Sequence, residues 1–205
     1  MVILEYKVAR TKAVDYEAKR EAILRSAAKL FADVGYDRSS MSQLATACGV
    51  SKALLYHYYS GKDALLLDVI SAHLKELCKT VEEADRPDAP AEDRLHFLVK
   101  ALLDAYRDAD HEHKVQINEM KHLAIERQEE IRELERRLVA RFADAVHGVS
   151  PDLGGSLLKP VTMSLFGMLN WHYMWFRPQG EISRDDYARI ASRLIIDGAR
   201  GLAGA

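Results

Sequence analysis

The stretch from Ser40 to Leu67, SMSQLATACGVSKALLYHYYSGKDALLL, constrains the fold more than any other part of the chain. Two short helical patterns lie in it, separated by one tight turn. The first runs from Met41 to about Cys48. Ser40 stands in the N-cap place and Gln43 follows three residues on, the spacing of a capping box. Leu44, Ala45 and Cys48 fall at helical spacing and form an apolar face. Gly49 can take the positive φ that ends a helix. Val50 packs inward, and Ser51 can cap a second helix over about Lys52 to Tyr58. Helix, glycine-containing turn, helix is the plan of a helix-turn-helix.

The residues that follow carry a resemblance to a known family. Ser51-Lys52-Ala53-Leu54-Leu55-Tyr56-His57-Tyr58-Tyr59-Ser60-Gly61-Lys62-Asp63-Ala64-Leu65 resembles the signature of TetR-type transcriptional repressors. That signature usually reads Ser-Lys-Gly-Thr-Leu-Tyr-His-Tyr-Phe-Pro-Ser-Lys-Glu-Ala-Leu. Ser51, Lys52, Leu55, Tyr56, His57, Tyr58, Lys62, Ala64 and Leu65 match it. Ala53 and Leu54 depart, standing where members commonly carry small or hydroxylated residues, and Ser60 stands where Pro is common. Leu54 lacks the hydroxyl with which a Thr there would reach a base edge. The likeness extends upstream through Tyr36, Gly35, Phe31, Leu30, Ala27 and Ile23 to about Arg20.

The resemblance implies an all-α chain in two parts. Residues 1–62 would form an N-terminal arm and a three-helix DNA-binding module. Residues 63–205 would form a larger helical domain for ligand binding and dimerisation. Such a protein represses transcription as a homodimer on a palindromic double-stranded operator and is released by a small effector. The DNA-facing set is Ser39, Ser40, Gln43, Ser51, Lys52, Ala53, Leu55, Tyr56, His57 and Lys62. By resemblance Tyr56, His57 and Lys62 meet phosphates, and their phenol, imidazole and ammonium groups are suitable donors. Lys52 suits guanine, and the Ala53 methyl suits thymine. Tyr58 and Tyr59 also fit a core.

Charge supports this division. Residues 1–62 hold ten Lys/Arg against six Asp/Glu, a net +4, and the remainder nineteen against twenty-five, a net −6. A basic module on an acidic body fits polyanion binding at one end. Cys48 and Cys78 both sit on helical apolar faces, which fits unpaired thiols in a reducing cytoplasm. No secretory signal pattern opens the chain. The most apolar stretch, Val161 to Phe176, is broken by Asn170 and His172 and is shorter than the ~20 residues that span a bilayer, so no membrane partner is expected.

Periodicity lays out the rest. A helix from about Glu17 to Val34 carries Ile23, Ala27, Leu30, Phe31 and Val34 on one face and stops at Gly35. Residues 1–16, with Lys7, Arg10 and Lys12, read as a mobile arm or a helical extension. Lys62 to Ala84 is a long helix with a Ser60/Asp63 capping box and a stripe of Leu66, Val69, Ile70, His73, Leu74 and Leu77. Pro87 and Pro90 mark a loop. A helix follows over about Ala91 to Arg107. Residues 108–123 are polar at first and then helical, with Val115, Ile117, Met120 and Leu123. The charged stretch from about Glu126 to His147 keeps a stripe of Ile131, Leu134, Leu138, Phe142 and Val146.

Ser150-Pro151 reads as the start of a further helix that Pro160 either kinks or truly begins. Ser183 and Asp186 cap the last helix, whose stripe is Tyr187, Ile190, Ala191, Leu194, Ile195, Gly198 and Leu202. Its small residues invite a second copy of the chain. Phe166, Leu169, Trp175, Ala191, Leu194, Ile195 and Gly198 are the expected dimer interface, a four-helix bundle of two helices from each subunit.

The tail, Phe166-Gly167-Met168-Leu169-Asn170-Trp171 and then Trp175-Phe176-Arg177-Pro178 and Gly180, resembles TetR-type repressors that respond to CoA thioesters of fatty-acid or phenylacetate degradation. The resemblance implies an acyl-CoA or aryl-CoA effector. His73, Tyr106, Asn118, Met120, His122, Met168, Trp171 and Trp175 are the candidate lining of its pocket. A hydrophobic drug-like ligand of an efflux regulator, or enzyme chemistry in the same pocket, stands as the alternative. His111, His113 and His122 lack a common metal-ligand spacing and read as surface histidines. No catalytic constellation, cofactor motif or metal site emerges from the residues.

Overall fold

The computed structural model describes the backbone of residues 2–204 and side chains from 15 to 204. Every regular element among them is helical: α1 (Val2–Val34), α2 (Met41–Ala47), α3 (Lys52–Tyr58), α4 (Lys62–Ala84), α5 (Ala91–Ala105), α6 (Asp110–Glu119), α7 (Ile125–Val149), α8 (Leu158–Trp175) and α9 (Arg184–Ala203). One 3-10 turn, Met120–His122, separates α6 from α7. The backbone of α1 includes positions 7, 10 and 12. The side chains of Lys7, Arg10 and Lys12 lie outside the described residues. The helices form two compact units, Met1–His73 with His111–Glu129, and Leu74–Asp110 with Glu130–Ala205.

In the first unit, Ile23, Leu24, Ala27, Ala28 and Phe31 of α1 are buried with Leu44 and Ala45 of α2, Leu55 of α3 and the start of α4. Each large side chain of this small core contributes about 1.5–3 kcal/mol by leaving water. Gly35, at φ +91°, ends α1 and donates its N–H to the Phe31 carbonyl at 2.9 Å. At the head of α4 the sequence reading needs correction. Gly61 holds the cap place, its carbonyl accepting from Leu65 N. Asp63 is thereby out of register with Ser60, and its carboxylate accepts the Tyr36 hydroxyl instead.

The segment 111–129 also differs from expectation. Val115 and Ile117 are two apart and cannot share a helix face. α6 starts earlier than the apolar residues suggest, buries His113 and Val115, and leaves Ile117 48% exposed. His113 is therefore interior rather than a surface histidine.

In the second unit, α9 packs along α5, whose Leu95, Leu98, Val99, Leu102 and Leu103 are fully buried. Asp85, just past α4, accepts two bonds from Arg94 at 2.7 and 3.0 Å and one from Arg141 at 3.1 Å. Arg94 hydrogen bonding, above all, holds the Asp85 carboxyl below the usual carboxylate range. Together these residues tie α4, α5 and α7. Ser150 and Pro151 do not start a helix. Turns occupy this stretch and α8 begins at Leu158, with Pro160 in its first turn, where a missing N–H costs no hydrogen bond. α9 opens with a complete capping box. Ser183 Oγ accepts from Asp186 N, and Ser183 N donates to Asp186 Oδ2, both at 3.1 Å.

No described helix is long and apolar enough to cross a membrane. Cys48 and Cys78 are both free thiols, the first half-buried and the second buried.

Candidate functional site

α2 and α3 owe their geometry to local capping. Ser40 Oγ accepts from Gln43 N at 3.3 Å and donates to Gln43 Oε1 at 2.9 Å. Gly49, at φ +64°, turns the chain, and Ser51 Oγ accepts from Leu54 N at 3.1 Å. Cys48 Sγ meets the Ile23 carbonyl at 3.6 Å, which holds the end of α2 on α1. Leu44 and Leu55 point inward with no exposed surface. The opposite side of α3 is left outward, with Ser51, Lys52, Ala53, Tyr56 and His57 all exposed.

The outward face is rich in donors. The Lys52 ammonium lies 5.9 Å from the Tyr56 ring centroid, and the Tyr56 ring is 47% exposed. His57 sits edge-on to Tyr58 at 5.8 Å. Such groups can donate to phosphate oxygens and base edges. Ser40 and Gln43 lie on the exposed head of α2.

Three residues of the expected DNA-facing set are placed otherwise. Leu55 is fully buried and belongs to the core of the module. Its slot four residues after Ser51 faces the interior, not solvent. Ser39 is 6% exposed, and its hydroxyl donates to the Tyr36 carbonyl at 2.7 Å. Lys62 donates to the Tyr36 and Ser39 carbonyls at 2.7 and 3.0 Å and lies 4.0 Å from the Tyr36 ring centroid. Its ammonium ties the α1–α2 turn to the head of α4, with one N–H left over.

The sequence offered Tyr59 a core place but not the long-range bonds that hold this module together. Tyr59 is buried, and its hydroxyl donates to Asp68 Oδ2 at 2.8 Å. Arg20 grips both oxygens of the same carboxylate, Nε at 2.9 Å from Oδ2 and Nη2 against Oδ1. Burial and then the Asp68 bond push the Tyr59 phenol up, and the Asp68 bond raises Arg20. Tyr58, half-buried, stacks on Tyr16 at 4.6 Å. A second set of contacts comes from the 3-10 turn and holds the α1–α2 turn. His122 stacks on Tyr36 at 4.9 Å and lies 3.4 Å from Asp37 and 3.2 Å from Glu119. Glu119 accepts Tyr36 N at 3.4 Å.

The candidate effector residues fall into several environments. In the first unit, His73 is interior, 6.0 Å from the His113 ring and pushed down to about 3 by burial. Asn118 is exposed, Met120 is intermediate and His122 serves the Tyr36 contact. In the second unit, the buried Tyr106 hydroxyl donates to Asn170 Oδ1 at 2.8 Å. The Met168 carbonyl accepts from Tyr187 at 3.0 Å, and Trp175 packs edge-on to Tyr187 at 4.9 Å. Trp171 is 61% exposed. A separate cleft of about 320 Å³ in this unit is lined by Ala84, Arg86, Phe97, Lys100, Ala101 and Asp104, residues the sequence did not single out.

The expected dimer residues also separate. Phe166, Leu169, Ala191 and Ile195 are buried within the chain, while Trp175, Leu194 and Gly198 are exposed. The α9 stripe is two faces. Ala188, Ala191, Ser192, Ile195, Ile196 and Ala199 turn inward, and Ile190, Leu194 and Leu202 turn outward. α8 adds outward Met163, Trp171 and Met174.

Comparison with known proteins bears on both units. Residues 23–69 match the pattern described as bacterial regulatory proteins, tetR family. Residues 88–199, more than half of the chain, match the one described as tetracyclin repressor-like, C-terminal domain. The transcriptional activator FasR of Mycolicibacterium smegmatis is 34% identical over 88 residues, 43% of this chain and only 40% of FasR. The transcriptional repressor KstR2 of Rhodococcus jostii is 26% identical over 187 residues, 88% of this chain and 90% of KstR2. The crystal structure of AibR in complex with isovaleryl coenzyme A and operator DNA matches with a TM-score of 0.70 at 26% identity, covering 90% of this chain and 97% of AibR.

Proposed function

The chain belongs to the TetR family of bacterial regulatory proteins, and from that premise we propose that it is a dimeric repressor released from an inverted-repeat operator by a CoA thioester. The outward face of α3 carries the DNA part of this reading. Lys52, Tyr56 and His57 project from a helix whose opposite side, Leu55, is fully buried. α3 would lie in the major groove, Lys52 reading guanine while Tyr56 and His57 hold phosphates. Lys62 would add at most one phosphate bond, since two of its donors are committed to carbonyls.

The outward apolar residues of α8 and α9 support the homodimer. Exposed large apolar side chains in one patch mark a surface that a partner covers. Two recognition helices about 34–36 Å apart would then meet successive major grooves of one duplex face. The likeness to AibR, solved with isovaleryl coenzyme A and operator DNA, supports the effector class. α4 gives Lys62–His73 to the first unit and Leu74–Ala84 to the second, so a change of its tilt would couple effector to DNA. A coupling of about 1–3 kcal/mol lowers operator affinity about 5–150-fold, and operator weakens effector by the same factor.

The test is a titration of the protein–operator complex with acyl-CoA and aryl-CoA thioesters, the matching free acids and hydrophobic drugs. Thioesters should release the DNA. Release by a free acid or drug with none by any thioester would overturn the effector class and leave the regulator.

A further inference from the structure

His122 stands between two carboxylates. Its Nδ1 lies 3.4 Å from Asp37 Oδ1, and its Nε2 lies 3.2 Å from Glu119 Oε2. A neutral imidazole has one N–H and one lone pair, so it can donate to only one carboxylate and turns its lone pair on the other. The imidazolium carries an N–H at both positions and serves both. Histidine is also the side chain whose ordinary charge change falls in the physiological pH range. The side chains of His122 and Glu119 are 21% and 15% exposed, so water screens their pairing less than that of the open Asp37.

The contact bears on the DNA module through Tyr36. The Tyr36 ring stacks on His122 at 4.9 Å, its N–H donates to Glu119 at 3.4 Å, and its hydroxyl donates to Asp63. Its carbonyl accepts Ser39 N at 3.1 Å, Ser39 Oγ at 2.7 Å and Lys62 Nζ at 2.7 Å. One residue thus joins the end of α1, the approach to α2 and the head of α4, all within the first unit. A cation over a tyrosine ring is attracted to it, which adds to the stack when His122 is charged. Of the charged groups around this joint, Asp37, Glu119 and Asp63 favour the proton. Lys62, 4.0 Å from the Tyr36 ring centroid, opposes it. The turn that carries His122 belongs in sequence to the matched stretch 88–199 and in space to the DNA-binding unit.

We propose that His122 is a positioning residue worked by a proton. Protonated, it latches the 3-10 turn onto Tyr36 and Asp37 and favours the arrangement of α2 and α3 that meets the operator. Deprotonated, it lets one carboxylate go, and that arrangement is less populated. Operator affinity therefore rises as pH falls through the histidine range. The proposal rests on the reading of α3 as the groove-entering helix.

The experiment uses the full chain and an operator duplex enriched from a random pool. From about pH 8 to about pH 6, His122 should contribute a rise in affinity of about fivefold, the factor that one partly exposed ion pair gives. His57, facing phosphate, adds a slope of its own that is common to the unaltered protein and the variants compared here. His122→Gln should lose the His122 part of the slope. Calorimetry in two buffers of different ionisation enthalpy should show that the unaltered protein takes up more protons on binding the operator than His122→Gln does. A merely structural His122 would weaken binding at every pH alike and leave proton uptake unchanged.

The proposal is overturned if slope and proton uptake are the same with and without His122. Should His122→Gln fail to fold, Asp37→Asn, a change at an exposed carboxylate, takes its place and should shrink the same slope; an unchanged slope overturns the latch. Binding without a His122-dependent slope removes the latch alone. If no duplex is enriched, the reading of α3 as a DNA helix falls first and the latch falls with it.

Discussion

The α2–α3 pair and the α8–α9 pair are both two-helix packings, yet they finish their surfaces in opposite ways. α3 buries Leu55 and turns Lys52, Tyr56 and His57 outward. α8 and α9 bury a full apolar set and still turn Met163, Trp171, Met174, Ile190, Leu194 and Leu202 outward. A face of donors gains from an oxygen-rich partner and tolerates water in its absence. A face of large apolar groups gains only from being covered. Under the proposed function, the difference assigns the α3 face to nucleic acid and the α8–α9 face to a second copy of the chain.

The largest expected effect comes from Leu194→Arg, which places a guanidinium in the outward apolar face. The variant should be monomeric at micromolar concentration by light scattering. Operator affinity should fall at least about 100-fold, because the second half-site no longer binds as a linked event. A variant that still dimerises breaks the comparison. Ala191→Arg is a different experiment, since Ala191 has no exposed surface and the change should unfold the second unit.

Leu55→Ala tests the other side. A cavity at a fully buried leucine costs about 2–5 kcal/mol. DNA binding should be lost while light scattering still reports a dimer, and loss of both would show that the two faces are not independent.

Lys62→Ala and Tyr56→Phe sharpen the account of α3. Lys62 should behave as a structural residue. Its removal frees two carbonyls and should lower stability by about 1–3 kcal/mol in denaturant titration. Tyr56→Phe should leave stability unchanged and weaken all DNA sequences alike, by about tenfold or less. Equal melting of the two variants would contradict the assignment.

The smallest effect is that of pH. Burial, and then the Arg184 charge, push His172 down to about 4. In the unfolded chain a histidine titrates near 6.5. Between these values the unfolded chain takes up a proton that the native chain refuses, so stability is intact above about pH 6.5 and falls as pH drops towards 4. His172→Phe should flatten part of that slope. Asp85, whose carboxyl is held low by Arg94, adds its own loss only below the ordinary carboxylate range. A slope unchanged by His172→Phe would remove His172 as its source.

The sequence by itself determined what its neighbours in sequence control. Ser40, Gly49, Ser51 and Ser183 do as caps and turns what their positions suggested, because each acts on a backbone group within a few residues. The stripe of α4 from Leu66 to Leu77 was likewise legible, since helical period alone gathers it. The all-α class and the helix-turn-helix followed from these.

Tertiary structure decided which of two possible faces each element buries. Apolar periodicity on α9 cannot say that Ala191 and Ile195 turn inward while Ile190 and Leu194 turn outward, because α5 and not α9 sets that choice. Two of the donors that the sequence offered to phosphate at Lys62 are taken by the Tyr36 and Ser39 carbonyls, more than twenty residues away. His122 and Glu119 join Tyr36 across more than eighty residues. A local hydrogen bond closes whenever its residues are present, whereas a burial or a long-range bond exists only once the chain has brought its partner.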